Sequence, residues 1–341
     1  MTSAEGDIGM FWRQAQDLNE QTALHIAARF GRCETIRLLL KSGVGDLDPV
    51  HIGGHVEACR ILVSFGFLVD CYTTRGRTPL MYAAKGNHVE VVKYLVGEGG
   101  ANVNEKNENG ASSLYIASHE GHIETVKLLL SLGADVNSCN RTCHTSLHVA
   151  VAEHHGEVAT YLINAVANKN AVDATGVSIW HEAAGAGSLS MIGLLLRNDV
   201  VLDSHTQFDK ISSRHPFHYA VLEGHLDFAE AMLVRGLIDV NLQDCDECTA
   251  VYYAATTGRD DILSMLLKHR GDPSLASVRR TALHCAVEWK QIKCVKLLVN
   301  CNCVDMHAKD LNGRKCLQIA KMKGYDEISV LLEGAPRPLF D

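Results

Sequence analysis

Between Asn107 and Asn137 the chain alternates polar turns with two bursts of apolar residues. The second burst is periodic: Ile123, Val126, Leu129 and Leu130 recur every three to four positions and leave Glu124, Lys127 and Ser131 for water. That is one buried stripe of an amphipathic helix. The first burst, Leu114 to Glu120, is a shorter helix, and Ser112 ahead of it offers a capping hydroxyl. Asn107 to Gly110 is turn chemistry, with Gly110 supplying the positive φ of a tight hairpin. Gly121-His122 separates the two helices, and Gly133 ends the second. The pattern predicts hairpin, helix, turn, helix, with more apolar surface than one such unit can cover.

The unit recurs. Thr22-Ala-Leu-His25, Thr78-Pro-Leu-Met81, Ser112-Ser-Leu-Tyr115, Thr145-Ser-Leu-His148, Ser178-Ile-Trp-His181, His215-Pro-Phe-His218, Thr249-Ala-Val-Tyr252, Thr281-Ala-Leu-His284 and Lys315-Cys-Leu-Gln318 are one tetrapeptide at the start of successive first helices. From Thr78 the steps are 34, 33, 33, 37, 34, 32 and 34 residues. Pro79 and Pro216 fall at the first helical position, where a missing N–H costs nothing. A fixed period of this length means a stacked array in which each unit buries its apolar face against its neighbours.

The tetrapeptides, the Ala83-Ala84 and Ala183-Ala184 pairs, the Gly121-His122 and Gly224-His225 breaks and Leu132-Gly-Ala-Asp-Val-Asn137 together resemble the ankyrin-repeat family over Asp17 to about Glu333. The resemblance implies an all-α solenoid of about ten helix–turn–helix repeats joined by β-hairpin loops, the second shortened. The expected organisation is an N-terminal extension (1–16), an array (17–333) with repeats starting near 17, 46, 73, 107, 140, 173, 208, 244, 276 and 310, and a tail (334–341). It also implies that the recurring histidines make structural hydrogen bonds within and between repeats. Asn104, Asn137 and Asn241 end turns of the kind that asparaginyl hydroxylase recognises in this family. Asn137 and Asn241 have the favoured leucine eight residues upstream (Leu129 and Leu233), so hydroxylation there stands beside a purely turn-fixing role.

The spacing is not uniform. Thr22 and Thr78 lie 56 residues apart, ten short of two periods. His55 to Val63 reads as a second helix whose hairpin and first helix are compressed into Asp46 to Gly54, with Asp48 to His51 a candidate tetrapeptide remnant. Two origins fit: a stretch missing from this transcript or gene model, and a native irregularity that loosens repeat 1. On the second, Met1 to Phe65 is the least stable part of the array. Gln207 to Arg214 lengthens one hairpin by about four residues, either as a contact loop exposing Phe208 or as a tolerated insertion. Ala320-Lys321-Met322-Lys323 gives the last repeat the polar face of a C-terminal cap.

Composition narrows the function. A formal charge of −8 argues against a general nucleic-acid binder, which needs a dominant basic face. No apolar run reaches the roughly 18–20 residues of a membrane span, and Met1 to Leu18 does not read as a signal peptide. The expectation is a soluble, monomeric, cytoplasmic or nuclear protein without direct membrane insertion. Of the twelve cysteines, several occupy ordinary helix positions, as free thiols do in a reducing compartment. Cys245 to Cys248 and the Cys139, Cys143, His144 set each supply too few ligands for zinc. No catalytic elbow or metalloprotease helix is present, so neither enzymatic activity nor a cofactor is expected.

In the ankyrin architecture, hairpin tips and first-helix ends line a concave face. The positions there point to Phe30, Arg75, Arg77, Lys85, Lys106, His119, Glu120, Arg141, Phe208 and Trp289 as partner-binding residues. Arg75, Arg77, Lys85, Lys106 and Arg141 share one sign, either a stripe that steers an acidic peptide or charges balanced by Glu105, Glu108, Glu120 and Glu153. Trp289 is either an exposed anchor or packed under the next hairpin. The expected function is non-catalytic protein recognition as adaptor, scaffold or inhibitor. The alternative is a substrate-recognition subunit of a ubiquitin ligase, its C-terminal box absent or lost from this chain.

Overall fold

The computed structural model describes residues 23–41, 54–66, 69–73, 75–202, 209–301 and 304–334. Phe208, Asp48 to His51, the N-terminal extension and all of the C-terminal tail but Gly334 lie outside them. The described residues form nineteen α-helices and no strands, and the chain divides into two compact units, one ending at Ala171 and one beginning at Val172.

The first unit holds α1 (Ala23–Arg29), α2 (Cys33–Lys41), α3 (Val56–Ser64), α4 (Pro79–Lys85), α5 (Val89–Gly97), α6 (Ser113–His119), α7 (Ile123–Ser131), α8 (Ser146–Ala152) and α9 (Gly156–Asn164). First helices pack on first helices, α4 on α6 on α8, and second helices on second helices, α3 on α5 on α7 on α9. Helix α3 also packs on α2, so Val56–Ser64 is a second helix, one residue along from the His55 to Val63 that the pattern predicts. The second unit repeats the scheme with α10 (Ile179–Ala186), α11 (Leu189–Arg197), α12 (Pro216–Glu223), α13 (Leu226–Val234), α14 (Ala250–Thr257), α15 (Asp260–Lys268), α16 (Ala282–Glu288), α17 (Ile292–Val299), α18 (Cys316–Lys323) and α19 (Asp326–Glu333). The all-α repeat architecture expected from the sequence is the one observed.

Local chemistry starts each helix. The hydroxyls of Thr78, Ser112, Thr145, Thr249 and Thr281 accept from the backbone N–H three residues on, at 3.3–3.4 Å, which satisfies a donor the helix itself leaves open. Helix α6 begins at Ser113 and ends at His119, with Glu120 as its cap, one residue earlier than its apolar pattern suggests. The alanine pairs Ala83-Ala84 and Ala183-Ala184 are fully buried; their small side chains let first helices approach closely.

Second helices start differently, and the difference joins the repeats. His122 Nε2 donates to the Lys85 carbonyl (2.9 Å), His155 Nε2 to that of His119 (2.9 Å) and His225 Nε2 to that of Gly185 (2.8 Å). Each acceptor is an orphan carbonyl at the end of the preceding repeat's first helix. The rings of His155 and His225 lie over the glycine of that repeat: a Cβ on Gly121 would stand 2.5 Å from the His155 ring. Gly121 also has φ +76°, so the Gly-His pattern answers two demands. Arg259 (to Glu223 O, 3.2 Å) and Gln291 (to Thr256 O, 3.5 Å) occupy the same position.

The tetrapeptide histidines tie repeats in the opposite direction. His181 Nδ1 accepts from the Ser178 N–H (3.0 Å), which leaves the proton on Nε2 to reach the Arg214 carbonyl of the next hairpin (3.0 Å). His218 and His284 make the equivalent bonds to Leu242 O (3.1 Å) and Arg314 O (3.2 Å). The structural role implied for the recurring histidines is observed between repeats at His122, His155, His181, His218, His225 and His284.

Candidate functional site

The hairpins are shaped by one side chain each. Asn107 Oδ1 accepts from the N–H groups of Asn109 and Ala111 (both 2.9 Å), and Asn140 Oδ1 from those of Thr142 and His144 (both 2.9 Å). Asp173, Asp244 and Asp310 do the same in the second unit. Asp209 spans one residue more, closing on Arg214 (3.0 Å between Asp209 N and Arg214 O), so part of the insertion predicted there sits within the hairpin. Adjacent tips are linked by backbone bonds: Glu108 N–H to Arg75 O (3.4 Å) and Arg141 N–H to Asn109 O (2.9 Å).

Between tips and first helices of the first unit lies a groove of about 280 Å³. Repeat 3 contributes Arg77, Met81, Tyr82 and Lys85; repeat 4 contributes Asn107, Asn109, Ala111, Tyr115, Ile116, His119 and Glu120; repeat 5 contributes Asn140. Four of the expected partner-binding residues therefore meet here: Arg77, Lys85, His119 and Glu120. The Arg77 guanidinium lies 5.8 Å from the Tyr82 ring centroid, a cation–π arrangement that holds the charge at the rim. Lys85 Nζ stands 4.0 Å from Glu120 Oε1, and His119 lies 3.6 Å from Glu120 and 3.8 Å from Glu153. Arg77 has no ion pair among the described residues.

The other expected residues are placed elsewhere. Arg75 and Arg141 are exposed on tips outside the groove lining. Lys106 donates to the Cys139 carbonyl (2.7 Å), so its ammonium is engaged in joining hairpins. Phe30 is 61% exposed at the end of α1, and Trp289 is 62% exposed at the end of α16, which decides against its packing under a hairpin. Beside it, a hydrogen bond from Lys323 holds the Glu288 carboxyl below the usual range against the opposing effect of partial burial. Asn137 Oδ1 accepts from Asn168 N–H (2.7 Å) and Asn241 Oδ1 from Asp272 N–H (2.8 Å); both side chains join one repeat to the next.

Sequence reasoning passed over the groove floor, Met81, Tyr82, Tyr115 and Ile116. The signal was present in the tetrapeptide. Repeats 3 and 4 carry Met81 and Tyr115 where five other copies carry histidine, Tyr252 and Gln318 being the remaining departures. Tyr115 reaches across by its hydroxyl, 3.3 Å from His144 Nδ1.

Among the described residues no group of three or more His, Cys, Asp or Glu side chains is arranged to hold a metal ion. The Cys245 thiol donates to Ser212 O (3.4 Å) and the Cys248 thiol to Asp246 O (3.7 Å). The eleven described cysteines are free thiols. No described helix is long and apolar enough to cross a membrane.

Helix pairs joined by capped hairpins define an array of short repeats, a class confirmed by comparison with known proteins. A family profile described as "Ankyrin repeats (3 copies)" matches residues 47–140, 99–173, 147–243, 180–277 and 217–310, and one for a single "Ankyrin repeat" matches 19–52. The chain belongs to the ankyrin-repeat family. It is 33% identical over 133 residues to "Putative ankyrin repeat protein FPV223" of fowlpox virus, covering 39% of this chain and 87% of that protein. It is 33% identical over 119 residues to "Probable E3 ubiquitin-protein ligase XBOS33" of rice (34% of this chain) and 35% identical over 121 residues to "Inversin" of Gallus gallus (35% of this chain). The matches span only 22% and 10% of the rice and chicken proteins. Ankyrin repeats generally mediate protein–protein interaction, and the family is typically non-catalytic.

Proposed function

We propose that this chain is a non-catalytic adaptor, scaffold or inhibitor that recognises an acidic segment of a protein partner along the tips and first-helix ends of repeats 3 to 5. The observation that carries the reading is the groove itself, where Arg77, Lys85 and His119 surround an aromatic and apolar floor. Arg75 and Arg141 extend the positive row on tips linked through that of repeat 4. Such a surface steers an acidic segment by its field and holds it by burying apolar contacts. Backbone-linked tips make it pre-formed, so little ordering cost falls on binding. The reading includes a monomer working in the cytoplasm or nucleus, which the free thiols support. The ligase alternative gains no specific support from the rice relative, since the match covers 22% of that protein.

The test is affinity capture from lysate by the parent chain and by an Arg77→Glu/Lys85→Glu variant, with thermal melts in parallel. The expected result is a protein captured by the parent and lost by a variant of unchanged melting temperature. Equal capture of every species by both chains rejects the groove.

A further inference from the structure

We infer that the groove of the first unit seats one anionic side chain of its partner, a carboxylate or a phosphate, on the carboxamides of Asn107 and Asn140 together with Arg77 and Lys85. This inference rests on the groove reading above and adds the chemistry of the residue it takes.

The hairpin-shaping position carries an aspartate at Asp173, Asp209, Asp244 and Asp310, all in the second unit, and an asparagine at Asn107 and Asn140, the two copies that line the groove. The turn does not need the amide. Asp244 Oδ1 accepts its two backbone N–H groups at 2.9 and 2.8 Å, and Asp310 its pair at 2.9 and 2.8 Å, against 2.9 and 2.9 Å for Asn107. What the asparagines change is the other end of the side chain. Two backbone donors can be met only by the oxygen, so each Nδ2 must be the remaining terminus, a pure donor. Neither Nδ2 donates to a described residue. Relative to the aspartate hairpins, the groove thus loses two negative charges and gains two N–H pairs.

The other polar groups agree. Arg77 has no ion pair among the described residues and is the planar donor suited to a carboxylate or phosphate. Lys85 adds an ammonium whose carboxylate partner, Glu120, is 4.0 Å away and shared with His119. Glu120 is the single carboxylate in the lining, and Lys85 and His119 flank it. Met81, Tyr82 and Ile116 provide an apolar bed for the stem of the incoming side chain.

The experiment is NMR on the full chain labelled with 15N at asparagine. The side-chain signals of Asn107 and Asn140 are assigned by their disappearance in Asn107→Asp and Asn140→Asp. Capped peptides with a central phosphotyrosine, phosphoserine, glutamate or glutamine, and inorganic phosphate, are titrated to millimolar concentration. The expected result is saturable movement of both signals with an anionic peptide and not with the glutamine peptide. Each Asp variant should keep its melting temperature, because aspartate shapes the same turn elsewhere, and bind at least about tenfold more weakly. Tighter binding of a phosphopeptide assigns phosphate, and tighter binding of the glutamate peptide assigns carboxylate. Movement of neither signal by any anion, or equal binding by the Asp variants, overturns the seat. A lysate partner kept by Asn107→Asp/Asn140→Asp yet lost by Arg77→Glu/Lys85→Glu leaves the groove standing without it, whereas a partner kept by all variants removes the groove reading too.

Discussion

A histidine buried between two repeats is a pH sensor whether or not the protein uses it. Burial pushes His218 down to about 4 from an ordinary value near 6.5, and His181 and His284 move in the same direction for the same reason. The unfolded chain therefore binds protons that the folded one refuses. The stabilisation is complete above the unfolded pKa and is lost as pH falls from about 6.5 towards 4. His218 alone should remove about 2 kcal/mol of stability between pH 7 and pH 5. Its replacement is already present in repeat 10, where Gln318 Oε1 accepts from Lys315 N–H (2.8 Å). His218→Gln should cost about 1 kcal/mol at pH 7 and shrink the acid loss by the amount His218 contributes. Urea midpoints of parent and variant at the two pH values check this, and an undiminished acid loss in the variant contradicts it.

At the scale of the element, the hairpin is one of three places in a repeat, with the ends of the first and second helices, where the backbone turns left-handed. The residue before its close has positive φ in most copies: Gly76 (+67°), Gly110 (+76°), Gly176 (+87°) and Gly313 (+71°), but also Cys143 (+61°), Ser213 (+48°) and Glu247 (+58°); the shorter turn from Ser277 to Arg280 does without one. A side chain in that region costs about 1–2 kcal/mol. Glu247→Gly should therefore raise stability by somewhat less, once the entropy of glycine is counted. Gly110→Ala should lower it by more than about 1 kcal/mol, because the new Cβ would also stand 2.7 Å from Arg141 N. Opposite shifts in melting temperature are the readout. Elements of this kind were legible in the sequence because their causes are local: a hydroxyl three residues before an N–H, a glycine where φ turns positive, a 3.6-residue stripe. The groove floor beyond the tetrapeptide residues Met81 and Tyr115 was not, because Tyr82 and Ile116 are ordinary helix residues until the neighbouring repeat leaves them uncovered. Lys106 shows the converse, a surface charge by sequence whose ammonium is taken by the Cys139 carbonyl.

Across the whole molecule, stability follows how much each repeat buries against the next. Helix α5 buries Val91, Val92, Tyr94 and Leu95, whereas α2 buries only Ile36 and leaves Leu38 67% exposed. Amides of α2 should accordingly exchange with deuterium by low-energy local opening, well ahead of those of α5 and α7. Exchange followed by mass spectrometry tests this; equal protection of α2 and α5 refutes it.

The joint between repeats has one further consequence. On the donor side stands histidine, arginine or glutamine; on the acceptor side stands only a main-chain carbonyl, belonging to Lys85, His119, Gly185, Glu223 or Thr256. A carbonyl is the same whatever side chain it belongs to, so the hydrogen bond itself asks nothing of the neighbour's sequence; what the joint does ask for is room, as at Gly121 under the His155 ring. Duplication or exchange of a whole repeat within such a stack therefore needs only that small residue to be kept next door, which leaves the side chains of first-helix ends such as Lys85 and His119 unconstrained by the joint.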